Sequence, residues 1–287
     1  MTQATAAAWQ PSDLELGRRA ARRRATGRSV LIAAISTLVV GGVLVIAVIS
    51  TPGWETVRAT FFSPEAAARA FPAVLKGLWL NIRVLVVAAV LVAIIGTLLA
   101  VMRSLRGAVF FPLRALATIY VDLFRGIPVL IVLYLVGFGI PTLGIFPRMD
   151  PAVWGTAAIV LCYSAYVGEV LRAGMEAVHP SQRVAARSLG LSHAQTLRMV
   201  VIPQGVRKVV PPLMNDFVSM QKDVGLISVL GAVDAVRAAQ IDVAQSYNFT
   251  PYLLAGLMFI VISWPMIRLT DAVTARMNRR EQTGGVV

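Results

Sequence analysis

The stretch His179 to Pro203, HPSQRVAARSLGLSHAQTLRMVVIP, lies between two apolar segments and is itself neither long nor apolar enough to cross a membrane. Its boundaries carry helix chemistry. Pro180 suits a first helical position, Val184, Ala185 and Ala186 continue a helix, and Gly190 suits the left-handed position past its end. A helix of about ten residues is about 15 Å long. Ser192-His193-Ala194-Gln195 then has capping-box spacing, which predicts a second helix that stops or bends near Pro203. Two short helices joined at a glycine make a projecting elbow, and small Ala185 and Ala186 let another protein's surface approach it closely.

The segments on either side of the elbow are of a different kind. Of the 287 residues 57% are hydrophobic and only 14% charged, and the mean hydropathy is +0.74. A soluble domain carries about 25% charged residues, so this composition excludes one and points to an all-α integral membrane protein. Upstream of the elbow, Ala152 to Val170 is uncharged until Glu169, Ala115 to Ile140 is interrupted by Asp122 and Arg125, and Val84 to Met102 is an uncharged run inside a span over 78–102. Downstream, Val206 to Val233 contains Asp216, Lys222 and Asp223, and Phe249 to Leu269 forms a last span. Val30 to Ser50 forms the first; it is longer than a signal peptide's apolar region and no A-x-A site follows it. Six transmembrane helices result. Residues 1–28 read as a basic cytoplasmic tail, 29–51 as a first helix, 52–74 as an external loop with a short helix over Glu65 to Ala70, and 276–287 as a cytoplasmic tail.

Charge sets the orientation. Lys and Arg number 27 against 14 Asp and Glu, a formal charge of +13. With both termini cytoplasmic, nineteen basic residues fall on the cytoplasmic side: Arg18 to Arg28, Arg103, Arg106, Arg114, Arg172 to Lys208 and Arg268 to Arg280. Five fall outside: Arg58, Arg69, Lys76, Arg148 and Arg237. This asymmetry is the positive-inside pattern, so the excess charge reports topology and lipid contact rather than nucleic acid.

Several residues then resemble a known family. The elbow resembles the cytoplasmic EAA loop of type I ABC importer permeases, whose pattern is E-A-A, three residues, G, nine residues, I, one residue, L-P. Ala185, Ala186, Gly190, Val200, Ile202 and Pro203 match it in order and spacing, with Val184 in place of the Glu. Over Lys76 to Ala275 the resemblance widens to the polar amino acid uptake branch. Phe124-Arg125-Gly126-Ile127-Pro128, Ala165 to Arg172, Gln204, Pro211-Pro212-Leu213, Asn215, Lys222-Asp223 and Arg237 to Gln240 carry it.

The resemblance implies a five-helix core over 75–275, plus one extra amino-terminal helix. The core dimerises with a second copy or a paralogue around a translocation path in a bacterial cytoplasmic (inner) membrane. The coupling loop 179–203 seats in a cytoplasmic ATPase, with Ser181, Arg183, Val184, Ala185, Ala186, Gly190, Leu191 and Pro203 as coupling residues. An extracytoplasmic amino-acid-binding protein completes the assembly. Nothing in the chain resembles G-x-x-x-x-G-K-[ST], so ATP and magnesium belong to the partner and the chain is not itself an enzyme.

The charges inside spans are the substrate-path candidates: Arg125, Glu169, Asp216, Lys222 and Asp223. Glu169 and Arg172, three apart, also fit a simple ion pair at a helix end. Asp122 and Arg125 have the same spacing, which predicts a pair that lowers their burial cost. Asp216, Lys222 and Asp223 cannot all pair within one helix, so a polar lining or a neighbouring helix must receive them. Cys162 reads as a small packing residue, and His179 and His193 cannot build a metal site with it. The alternative function is a secondary transporter or channel independent of ATP, against which no internal repeat is evident.

Overall fold

A computed structural model of the chain describes residues 12–105 and 107–283. Arg106, counted above, and residues 1–11 and 284–287 lie outside them. All regular elements among the described residues are helical. The chain divides into two units, one ending at Ala59 and the other beginning at Thr60.

In the first unit, helix α1 (Asp13–Ile49) is capped by the Ser12 side chain, which accepts from the Glu15 amide, with Asp13 and Glu15 in the first turn facing the positive helix end. The helix therefore starts well before the apolar run. Eighteen consecutive residues within Thr26–Ile49 have a mean hydropathy of 2.8 and none of them is buried, the all-round apolar character of a helix in lipid. Helix α2 (Trp54–Phe61) follows.

The segment 52–74, expected from the sequence to lie outside, is more helical than its prolines suggest. Helix α3 (Pro64–Ser104) begins at Pro64, capped by Ser63, and runs 41 residues through Pro72. Pro72 lacks an N–H, yet the helix runs on through it, because Ala70 and Val74 on either side are buried in one cluster with Ala235, Ala238 and Ala255, and that packing holds the helix in line.

Helix α4 (Phe111–Gly126) and helix α5 (Val129–Tyr134) make up the expected third span. They are not collinear. Ile127, preceding Pro128, is held in the extended region at φ −105°, ψ 132°, where the proline ring pushes it, and the two halves meet at 107°. The second half continues through a single π turn (Leu135–Gly139) into α6 (Ile140–Thr142).

Helix α7 (Pro151–Glu176), capped by Asp150, is the centre of the second unit. Ala158, Ile159 and Cys162 on it are fully buried in one cluster with Val84, Leu85 and Ala88 of α3, Leu133 of α5 and Ile227, and Ala165 in another with Leu99 of α3 and Ala117 and Val121 of α4. Cys162 is the small packing residue the sequence implied.

The elbow itself comprises α8 (Pro180–Ser188), α9 (His193–Thr196) and a π turn (Leu197–Val201), and α10 (Ile202–Asp223) follows. The helix does not stop at Pro203. The π turn admits an extra residue per turn just before Pro203, and this local widening lets the helix run on past a residue that has no N–H to give. A 3₁₀ segment (Val224–Leu230), helix α11 (Ala235–Ser246) and helix α12 (Thr250–Thr283) complete the chain. Among the described residues four helices are long and apolar enough to cross a membrane, or up to six spans if each bent pair is taken as one.

Candidate functional site

The elbow is built as its sequence dictates. His179 caps α8, its Nδ1 accepting from the Ser181 amide at 3.2 Å, and Pro180 opens the helix. Gly190 takes φ +83° past the helix end, and the Leu191 amide returns to the Ala186 carbonyl at 3.2 Å. The capping box is complete. Ser192 N donates to Gln195 Oε1 at 2.8 Å, and Gln195 N donates to Ser192 Oγ at 3.3 Å.

Two cations hold the elbow to the spans. Arg183 Nη2 donates to the Met175 carbonyl at 2.8 Å, and Lys208 Nζ donates to the Ala177 carbonyl at 2.9 Å, so the last carbonyls of α7 are covered. Beneath them α7 and α10 cross at Gly174 and Gly205. A methyl group on Gly174 would stand 1.9 Å from Val209 Cγ1. Of the residues expected to couple, Ala186 faces inward at 4% exposure while Val184 is 64% exposed; Ser181, Ala185 and Gly190 are exposed too, Arg183 and Leu191 partly buried. Pro203 lies away from this face, in the first turn of α10. The elbow thus presents a mixed surface, with Val184, Ala185 and Leu189 exposed beside Ser181, Gln182 and Arg187.

Glu169 is the hub of the charges within the spans. It accepts from Arg172 in a two-pronged pair (2.6 Å and 3.2 Å) and from Arg103 at the end of α3. Arg125 of α4 stands 3.8 Å from the same carboxylate, and Arg172 also pairs with Glu176 at 2.6 Å. The expected Asp122–Arg125 pair is absent. Arg125 reaches across to α7 instead, while Asp122 is exposed and has no ion pair among the described residues.

The charges of α10 part company. Asp223 Oδ2 accepts from the Tyr163 hydroxyl of α7 at 2.8 Å, so a neighbouring helix does receive it. Lys222 is exposed. Asp216 keeps one buried carboxylate oxygen, Oδ2, with no hydrogen-bond partner. It lines a cleft of about 180 Å³ with Val92 and Ala93 of α3, Val167 of α7, and Leu213 and Phe217 of α10.

One polar cluster was not legible in the sequence. Asn81 of α3, 2% exposed, donates to Asp234 Oδ2 at 2.9 Å and to the Val224 carbonyl at 3.1 Å, and accepts from the Ala235 amide at 3.1 Å. Asp234, fully buried, also caps α11 by accepting from the Arg237 amide at 2.8 Å. An uncharged Asn in an apolar helix and an Asp just before a helix start were the signals.

The geometry therefore joins a bundle of spanning helices, a small exposed elbow at one end, a charge hub just above it and an unpartnered carboxylate deeper in the bundle. Residues 105–279 match the model of the family described as binding-protein-dependent transport system inner membrane component, and the chain belongs to that family. It is a type I ABC permease, as its elbow implied, and the reading as an ATP-independent carrier falls.

The glutamate/aspartate import permease protein GltK of Escherichia coli is 33% identical over 209 residues, covering 70% of this chain and 92% of that one. The arginine transport system permease protein ArtQ of Bacillus subtilis is 29% identical over 211 residues, covering 73% and 94%. The crystal structure of an amino acid ABC transporter with histidines aligns with a TM-score of 0.67 at 31% identity, over 73% of this chain and 96% of that one.

Proposed function

We propose that this chain carries an amino acid across the inner membrane as a six-span subunit, paired with a second permease copy or paralogue. An extracytoplasmic binding protein delivers the substrate, and a separate ATPase binding ATP and magnesium drives the cycle. The permease is itself non-catalytic. Both termini and the elbow face the cytoplasm, where Ser181, Val184, Ala185 and Gly190 meet the ATPase.

The observation that carries the substrate assignment is the unpartnered Asp216 oxygen in its cleft. Desolvating a carboxylate without a partner is costly, so a residue held this way is expected to gain one from a ligand. An amino acid's ammonium supplies that partner, and the apolar walls suit passage without trapping. Arg125, at the break between α4 and α5 and more exposed than Arg103 or Arg172, is the cation available to the carboxylate. Glu169 serves the path by orienting Arg125, whereas Lys222 and Asp223 lie beside it.

Asp216→Asn tests this, since it keeps shape and removes charge. Uptake of a zwitterionic or cationic amino acid should fall at least about tenfold, the effect of losing about 1.4 kcal/mol, with subunit assembly intact. Normal uptake kinetics in an assembled Asp216→Asn transporter would make Asp216 structural.

A further inference from the structure

A second cleft, of about 490 Å³, opens at the elbow end of the spans between the start of α4 and the ends of α3 and α7. Arg103, Arg114 and Arg172 line it, with Phe111, Thr118 and Ile119. We propose that this cleft binds the phosphate headgroup of an anionic phospholipid, with the acyl chains lying along the outer face of α4.

The arginines are fixed before any ligand arrives. Arg103 and Arg172 are anchored on Glu169, and Arg114 Nη1 donates to the carbonyls of Leu105 and Gly107 at 3.0 Å and 2.8 Å. The local charge is not balanced. Four guanidinium groups, those of Arg103, Arg114, Arg125 and Arg172, stand against three carboxylates, Glu169, Glu176 and the exposed Asp122 one turn along α4 from Thr118, which leaves the set net cationic. An anion with several acceptor oxygens matches such a set of planar donors.

Depth and flank select a lipid over a soluble anion. Arg103 is the first charge after the uncharged run Val84 to Met102, and Glu169 and Arg172 are the first after the long uncharged run of α7, which is where headgroups begin. Beside the cleft, Val109, Phe111, Leu116 and Ile119 are 63–87% exposed, an apolar surface suited to acyl chains. The cleft keeps this charge and depth whichever compartment it faces, and it shares no residue with the Asp216 cleft.

The test is a thermal-shift titration of the full chain, purified in neutral detergent with whatever subunits accompany it. Dioleoylphosphatidylglycerol, dioleoylphosphatidylcholine and millimolar inorganic phosphate are added separately to wild type, Thr118→Glu and the neutral control Thr118→Gln. Phosphatidylglycerol should raise the melting temperature of wild type and Thr118→Gln at the same half-point. Thr118→Glu, which sets a carboxylate in the cleft, should need about fivefold more, the effect of one charge near a membrane surface. Ile119→Glu, at the exposed rim, replaces Thr118→Glu if the latter does not assemble.

An unchanged half-point in the glutamate variant would place the lipid effect elsewhere and overturn the proposal. An equal shift with phosphatidylcholine would remove charge recognition, and an equal shift with inorganic phosphate would make the cleft a site for a soluble anion; either overturns it as well.

Discussion

Asn81 and Asp234, 153 residues apart in the chain, meet at 2.9 Å with both side chains buried. Through this contact α3, the 3₁₀ segment after α10 and the start of α11 share one polar network, since Asn81 also bonds Val224 and Ala235. Every capacity of the Asn81 amide used here satisfies a group that water cannot reach, so the network fixes the junction's geometry.

Asn81→Leu leaves the Asp234 carboxylate and the Ala235 amide short of a partner while keeping the volume. The expected loss is about 3 kcal/mol, seen as a lower melting temperature of the purified protein. An unchanged melting temperature would show that the network carries no net stability.

Glu169 and Arg125 should respond unequally to neutralisation. Glu169→Gln strips the shared partner from Arg103 and Arg172, two groups only 12% and 25% exposed, and is expected to cost about 2–4 kcal/mol. Arg125→Gln removes only a 3.8 Å contact from a side chain 42% exposed and should stay within about 1 kcal/mol. The transport readout reverses the order of subtlety: Arg125→Gln should lose uptake despite its stability, and retained uptake would remove Arg125 from the path.

Gly190 sits at φ +83° with open space where a side chain would go. Substitution there acts through backbone strain alone, about 1–3 kcal/mol for a β-branched residue. Gly190→Val should weaken ATPase co-purification and ATP-driven uptake, while Gly190→Asn, tolerant of that φ, should be nearly silent. Equal behaviour of the two variants would mean that the turn does not set the elbow's angle.

Topology is checked by single cysteines at Ala68 and Ser188, both exposed, in a Cys162→Ala background. An impermeant thiol reagent applied outside should label position 68 and spare position 188. Labelling at both positions from outside would refute the cytoplasmic placement of the elbow.

The elbow was readable because its information is local. Pro180, Gly190 and the pair Ser192 and Gln195 each act within four residues, so caps and turn appear where the spacing puts them. Apolar runs were equally legible, since lipid demands them whatever the neighbours. Less legible were the places where a proline's effect depends on its setting. Pro128 broke its span through the residue before it, Pro72 did not break α3, and Pro203 was absorbed by a π turn.

The sequence by itself determined the helical class, the apolar runs, the caps of the elbow and the family, because hydropathy and capping are properties of neighbouring residues. Only the tertiary structure decided which charges meet. Arg125 turned from Asp122, three residues away, to Glu169 on another helix, Asp223 found Tyr163, and Asp216 found nothing. Within a helix the spacing of two residues fixes their angle, but which buried group desolvates beside which is set by how the helices cross, and that is a property of the packed whole.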